Sequence, residues 1–274
     1  MAVGVAALTV ALVPADALPT WGWRVPFLVG SALAGSILLA RTRMVESPDF
    51  DRQRAAGTVP RAPLRLALAR HRAGIARGFA ISALGSITYY VGITYVPTYL
   101  VSVVHLAETR ALALASLAGV AVIVVTPLFG AAGDRWGRRP LLVALALAAA
   151  VLPVAMFAAM AHGSWATACL GALVLASLAG GVSAVATAAT AEQFPGEGRL
   201  SGLALGVTIA TALFGGVTPW LAQVLIARTG SPLVPGVMIA AVGLAALPVF
   251  LGLRGGRAPG AAQPTSRMPS GEGR

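Results

Sequence analysis

Asp134, Arg135, Gly137, Arg138 and Arg139 crowd one carboxylate and three guanidiniums into the six positions Asp134-Arg135-Trp136-Gly137-Arg138-Arg139. Side chains of opposite charge this close in a turn form charge-assisted hydrogen bonds. Gly130 stands just ahead of the run. Gly137 sits inside it, where a glycine permits a backbone conformation that other residues avoid. Such a group can brace or latch a loop. Three arginines alone would serve to hold a loop on one side of a membrane, which accounts for them but not for Asp134 or for the glycine spacing.

A second group is made of hydroxyls. Thr88, Tyr89, Tyr90, Thr94, Tyr95, Thr98 and Tyr99 fall in one apolar run and include all four tyrosines of the chain. Phenols and hydroxyls deep in a hydrophobic segment need partners, either on another helix or in a wet cavity. Both readings stay open. Tyr89 and Tyr90 are consecutive and should point to different faces, so at most part of the set lines a cavity. Tyr99 stands near a run's end, where an aromatic residue also serves as an interfacial belt.

A third group is Phe214-Gly215-Gly216-Val217-Thr218-Pro219. Pro219 cannot donate to a helix ladder and paired glycines weaken it, so a kink or an opening is expected. Discontinuous helices mark binding sites in transporters, although a passive kink is the plainer reading. Thr126-Pro127 is a weaker copy.

Other chemistry is poorly represented. The single cysteine, Cys169, lies in an apolar run, which excludes a disulfide framework and a cysteine-based metal site. No cluster of metal ligands, no nucleophile with a base and an orienting group, and no phosphate-binding glycine loop can be assembled, so neither an enzyme nor an ATP-driven pump is expected, and no cofactor. No acidic residue falls in the middle of an apolar run. His71, His105 and His162 lie outside those middles, so no proton relay is visible.

The elements that carry these groups are membrane spans. Of 274 residues, 57% are hydrophobic and 11% charged, too few charges to solvate a soluble surface of this size. Apolar runs cover Val25–Ala40, Ile75–Val103, Ala111–Ala131, Pro140–Ala161, Trp165–Ala189, Leu200–Ile226 and Pro232–Leu253. Most have the length of a tilted helix crossing a bilayer. They lack the alternation of barrel strands, and sheet edges cannot be satisfied in hydrocarbon, so the class is an all-α polytopic membrane protein. The shorter Val25–Ala40 needs Trp21, Trp23 and Arg24 as interfacial anchors. The run Met1–Val13 has no basic start and no cleavage site, so it is not a signal peptide. It reads as the later part of a helix whose start is missing.

All twenty basic residues are arginine, giving a net charge of +11. They stand between the apolar runs, the pattern of membrane orientation rather than of nucleic-acid binding. Seventeen fall in Arg41–Arg77, the Asp134–Arg139 loop, Arg199 and the C-terminal tail; only Arg24, Arg110 and Arg228 fall on the other side. The asymmetry predicts a plasma-membrane protein with those loops and the C-terminus in the cytoplasm. The expected divisions are 1–41, a central cytoplasmic segment 42–74, a bundle 75–254 and a disordered tail 255–274. Small residues recur every four positions at Ala172, Ala176, Gly180, Ala184 and Ala188, and again at Gly202, Gly206 and Ala210, where helices can approach closely.

The run from Gly130 to Arg139 resembles the G-x-x-x-D-R-x-G-R-R signature of the major facilitator superfamily, departing only in Ala132, where leucine is common. Trp21-Gly-Trp-Arg-Val-Pro-Phe27, Glu46-Ser-Pro-Asp-Phe50, Glu192-Gln-Phe-Pro195 with Arg199 and Gly202, and Phe214-Gly-Gly-Val-Thr-Pro219 resemble, in order, stretches of its metabolite:proton symporter branch. Glu46-Ser-Pro is also similar to sugar porters. The resemblance implies the C-terminal six-helix bundle of that fold plus the last one to two helices of the N-terminal bundle, with Val25–Ala40 as the sixth helix and Pro232–Leu253 as the twelfth.

It further implies alternating-access transport of a small organic solute, a carboxylate or zwitterion, with the proton as coupling ion and the lipid bilayer as surroundings. Gly130, Asp134, Arg135, Gly137, Arg138 and Arg139 would form the gating loop, with Glu192, Pro195 and Arg199 as a second cytoplasmic motif. The candidate cavity residues are Tyr89, Tyr90, Thr94, Tyr95, Gly215, Gly216 and Thr218. The partner of Asp134 would be the N-terminal end of the fifth helix, where the helix dipole favours an anion. The alternative is a truncated, non-transporting fragment, or one half of a split carrier that needs a partner chain for its N-terminal half.

Overall fold

The computed structural model describes residues 16–42, 48–57, 62–194 and 199–253, with a few positions among the first fourteen. Pro195, the tail 255–274 and most of the expected helix 1–13 lie outside the described residues. The chain divides into two compact units, 1–59 and 60–274.

In the first unit a 3-10 turn, Gly22–Arg24, leads into α1, Val25–Arg41. Pro26 lies in its first turn, where the missing N–H is no loss. The Trp23 and Phe27 rings meet edge to face at 6.0 Å, and the Arg24 guanidinium lies 4.3 Å from the Trp23 ring centre. Two of the three residues expected as anchors, Trp23 and Arg24, thus pack together at the helix entry. A short helix α2, Pro48–Ala55, follows in the charged segment.

The second unit holds α3 (Pro63–Arg70), α4 (Arg72–Tyr89), α5 (Val96–Ser102), α6 (Glu108–Trp136), α7 (Arg138–Ala161), α8 (Trp165–Glu192), α9 (Arg199–Thr211), α10 (Thr218–Thr229) and α11 (Val234–Leu251). There is no strand among the described residues. Among the described residues, six helical stretches are long and apolar enough to cross a membrane, and the bent pair Arg72–Thr94 with Val96–Ser102 makes a seventh if it is one span.

The packing has an internal symmetry. Helix α4 packs on α9 as α8 packs on α6, and α7 on α8 as α11 on α4, while the pairs α4–α8 and α7–α11 map onto themselves. Exchanging three consecutive spans for the next three thus leaves the pattern unchanged. Because three is odd, the two triplets run in opposite senses, which is the inverted repeat found inside the halves of many carriers. The expected small-residue faces contribute. A Cβ on Gly206 would lie 3.0 Å from the Ile75 carbonyl oxygen on α4, and one on Gly180 would lie 3.4 Å from the Val122 backbone on α6.

The run 75–103, expected as one helix, is broken. A π-helical turn, Tyr90–Thr94, separates α4 from α5, and the two parts meet at 41°. The Tyr95 amide reaches back five residues to the Tyr90 carbonyl, at 2.9 Å. The cause is Pro97, which has no N–H for the carbonyl four residues before it. The same device recurs where it was expected. A π turn, Ala212–Gly216, separates α9 from α10 ahead of Pro219. The Thr218 hydroxyl donates to the Phe214 carbonyl at 2.7 Å and to the Gly215 carbonyl at 3.2 Å, satisfying groups that the break sets free. By contrast α6 runs unbroken through Pro127.

Candidate functional site: a hydroxyl-lined cavity and a braced arginine-rich end

At the arginine-rich end of the bundle, Gly137 links α6 to α7 with φ 90° and ψ 150°. A Cβ there would meet only Pro140, at 3.7 Å, so the glycine is required by the backbone and not by crowding. This sharp turn throws Arg138 and Arg139 onto neighbouring helix ends. Arg138 pairs with Glu192, at the end of α8, and also reaches the Asp134 carboxylate at 3.4 Å. Arg139 donates to the Leu251 carbonyl at 2.6 Å, satisfying an orphan acceptor at the end of α11. Three spans are tied together from one loop.

The two motifs read separately in the sequence therefore meet through Arg138 and Glu192. Asp134 remains 68% exposed. Arg135 is exposed and has no partner among the described residues, and nothing lies within 4 Å of a Cβ placed on Gly130. Arg199 opens α9.

Phe194, the third residue of the Glu192 motif, is fully buried. Its ring fills the space left by three glycines. A Cβ on Gly202 would lie 2.7 Å from it, and Cβ atoms on Gly74 and Gly78 would lie 3.2 and 3.3 Å away. This plug was missed in the sequence, although Gly74, Gly78, Gly202 and an aromatic residue beside Pro195 were visible there.

Between α4, α8 and α9 lies a cavity of about 450 Å³. Its polar lining is made of hydroxyls: Ser82, Ser86, Tyr89 and Tyr90 on the α4 side, Ser183, Thr187 and Thr190 on α8, and Thr211 on α9. Ser86 and Thr211 hydrogen-bond across it at 3.1 Å. Tyr89 and Tyr90 both line it, against the expectation that they point to different faces. Their rings pack edge to face at 5.6 Å and 69°, and form one corner. The π turn that begins at Tyr90 winds less per residue than an α-helix, so the second ring swings less far from the first.

The other expected lining residues lie elsewhere. Tyr95 is buried and donates to Gln223 Oε1 on α10 at 2.6 Å, which ties α10 to the broken span. Thr94 is exposed away from the cavity lining, and Thr218 is engaged with its own helix. Gly215 lies behind the Tyr90 ring, and Gly216 has nothing within 4 Å of a Cβ. Phe214 faces a separate, apolar crevice of about 390 Å³ between α4 and α11. The serines and threonines were missed although their spacing carries a signal: Ser82, Ser86 and Tyr89, like Ser183, Thr187 and Thr190, recur at helical intervals of four and three.

Spans in an inverted repeat, a signature turn that ties helix ends together, and a cavity edged by hydroxyls against a broken span are the architecture of a membrane carrier. The profile described as Major Facilitator Superfamily matches residues 109–271. The chain belongs to the major facilitator superfamily. Among curated proteins it is 31% identical over 231 residues to the citrate-proton symporter of Klebsiella pneumoniae, covering 84% of this chain and 51% of that protein. It is 30% identical to the ectoine/proline transporter ProP of Corynebacterium glutamicum (82% and 47% covered) and 30% to the alpha-ketoglutarate permease of Escherichia coli (75% and 47%). These relatives fall in the symporter branch that the motifs resembled. The chain spans about half the length of the curated relatives it matches. It is a multi-pass membrane protein of a transporter family.

Proposed function

We propose that this major facilitator chain takes part in secondary active transport of a small organic solute, a carboxylate or a zwitterion, by alternating access and with protons as the coupling ion. The observation that carries the reading is the hydroxyl-lined cavity of about 450 Å³ set against a broken span. That volume lies in the range of small-molecule sites. A broken span gives a carrier somewhere to bend while the rest of its bundle moves as a body. Proton coupling rests on the names of the relatives, citrate-proton symporters among them.

In this reading the protein lies in the cytoplasmic membrane, with the arginine-rich end and the C-terminus in the cytoplasm. Arg138 and Arg139 brace the bundle, and Asp134 is the exposed group left to latch the cytoplasmic face. Its partner is the N-terminal end of the fifth helix, where the helix dipole favours an anion. If Asp134→Asn changes neither uptake nor crosslinking across the cytoplasmic face, the latch role is wrong.

The rival reading is a chain that needs a partner chain or does not transport by itself. One experiment separates the two. Inverted and right-side-out vesicles from cells expressing the gene are given labelled citrate, α-ketoglutarate, proline or glycine betaine under an imposed proton gradient. Gradient-driven uptake of one solute, lost with a protonophore, supports the carrier. Uptake no greater than in vesicles from control cells supports the partner-requiring or inactive chain.

A further inference from the structure

We propose that the apolar crevice between α4 and α11 holds an acyl chain of an anionic phospholipid, whose phosphate is received by the guanidiniums of Arg72 and Arg139 at the arginine-rich end. The proposal needs only that the chain lies in a bilayer. It does not rest on the hydroxyl-lined cavity being a solute site.

The crevice comes from a lack of side-chain volume. Ala76, Ala80 and Ala83 on α4 line it, with Ala241 and Ala245 on α11. Phe79 and Phe214 also line it, and their rings meet edge to face at 5.9 Å. No lining residue has a polar side chain. Methyl groups on both helices leave a space of about 390 Å³ that water, with nothing to bond, does not suit. Ala76, Ala241 and Ala245 are exposed, so the space opens sideways. Along α4 it runs from Ala76 to Ala83, about 10 Å at 1.5 Å per residue. One leaflet contributes about 15 Å of hydrocarbon. A slot of this depth, apolar and open to the side, fits an acyl chain.

The charge at its mouth selects the headgroup. Arg72 stands one helical turn before Ala76, on the same stripe of α4 as Ala76, Ala80 and Ala83. Its Nε donates to the Leu68 carbonyl at 2.9 Å, and its two terminal nitrogens have no partner among the described residues. On α11 the lining ends at Val249. Two residues further on, Arg139 donates to the Leu251 carbonyl at 2.6 Å. Neither arginine has an acidic partner among the described residues. Together α3 and α4 carry Arg65, Arg70, Arg72 and Arg77 and no carboxylate. A guanidinium offers a phosphate two parallel N–H bonds.

Helix α3 sets the level. Its Leu64 and Leu68 are exposed, with Arg65 and Arg70 exposed beside them, while Ala67 is buried. Leucines and arginines exposed together on a short helix at the end of a bundle suit the headgroup layer, where each finds its own surroundings. Arg72 follows α3 after one residue and so stands at the depth of the phosphates.

The test is lipid binding to the full chain, purified in mild detergent and given phosphatidylglycerol or phosphatidylethanolamine of matched acyl chains, with bound lipid counted by native mass spectrometry. We expect phosphatidylglycerol to bind about fivefold more tightly, the order of one arginine at an anionic surface. Arg72→Gln should bring it down to the level of phosphatidylethanolamine, and Arg72→Lys, which keeps the charge, should retain most of the preference. Arg110→Gln, at the opposite end of the bundle, should change neither lipid. Ala245→Leu and the smaller Ala80→Val fill the crevice and should lower binding of both lipids, with thermal unfolding in lipid-free detergent showing which variant is folded. Equal binding of the two lipids by the parent chain overturns the anionic assignment. Unchanged lipid binding by a folded crevice-filling variant overturns the crevice as the place of the chain. No lipid retained by the parent overturns the proposal whole and leaves the crevice to a protein segment.

Discussion

The Tyr90 ring rests on Gly215, so the π turns of two different spans touch. A Cβ added at 215 would lie 2.8 Å from Tyr90 Cε2, closer than real side chains come. Gly215→Ala should therefore destabilise the protein by about 1–3 kcal/mol, the usual range for overpacking. Gly216→Ala, with open space around its Cβ, should change stability by less than about 1 kcal/mol and in the stabilising direction, because alanine is the better helix former. Thermal unfolding of both variants in detergent checks the pair. Equal loss at the two positions would mean that the Tyr90 contact does not set the requirement.

Phe194 should behave as a plug. Phe194→Ala removes a fully buried ring from between Gly74, Gly78 and Gly202, and should destabilise by about 3 kcal/mol. Gly202→Ala drives a Cβ to 2.7 Å from the ring and should also be destabilising. Combining Gly202→Ala with Phe194→Leu should cost less than the sum of the two single changes, because the smaller side chain gives the new Cβ room. Strict additivity in unfolding measurements would show that the two residues do not share this space.

Gly137 should resist every replacement by an L side chain. Its φ of 90° with ψ 150° is a conformation that glycine alone adopts freely. Gly137→Ala should destabilise by about 1–3 kcal/mol through backbone strain, since its Cβ would meet nothing closer than 3.7 Å. Limited proteolysis at the loop should rise in parallel. An unchanged melting temperature would show that the turn has another conformation available.

The pair Arg138–Glu192 should be coupled, but modestly. The two side chains are 25% and 47% exposed. A double-mutant cycle with Arg138→Gln and Glu192→Gln should give a coupling energy of about 0.5–1 kcal/mol, smaller at high salt. A coupling of zero at low salt would remove the brace between the signature loop and the end of α8.

The spans were legible because hydropathy and length decide whether a segment crosses a bilayer, and α6, α7, α8 and α11 lie on the expected runs. The break in the span 75–103 was not read, although Pro97 stands there as plainly as Pro219 does in the break that was. The difference was the glycine pair beside Pro219. A single Gly92 next to tyrosines gave no comparable signal. In the candidate cavity Tyr89 and Tyr90 were legible as residue types, because phenols are rare in apolar runs. Ser183 and Thr190 were not, since a lone hydroxyl in a span can always bond back to its own helix. The ties of Arg138 to Glu192 and of Tyr95 to Gln223 join separate spans, and no local spacing encodes them.

The central claim is that the space between α4, α8 and α9 is a water-accessible solute site. Cys169 is the only cysteine, so a Cys169→Ser background can carry a single reporter thiol. Ser183→Cys places that thiol on the cavity wall, and Val151→Cys places it on an exposed face of α7. The measurement is the rate of labelling by a water-soluble maleimide in intact membranes, with and without glycine betaine, proline, citrate and α-ketoglutarate. The account predicts that Ser183→Cys labels readily, that one of these solutes slows it several-fold, and that Val151→Cys stays unreactive in lipid throughout. A Ser183→Cys thiol that is unreactive, or that labels at the same rate with every solute, would contradict it.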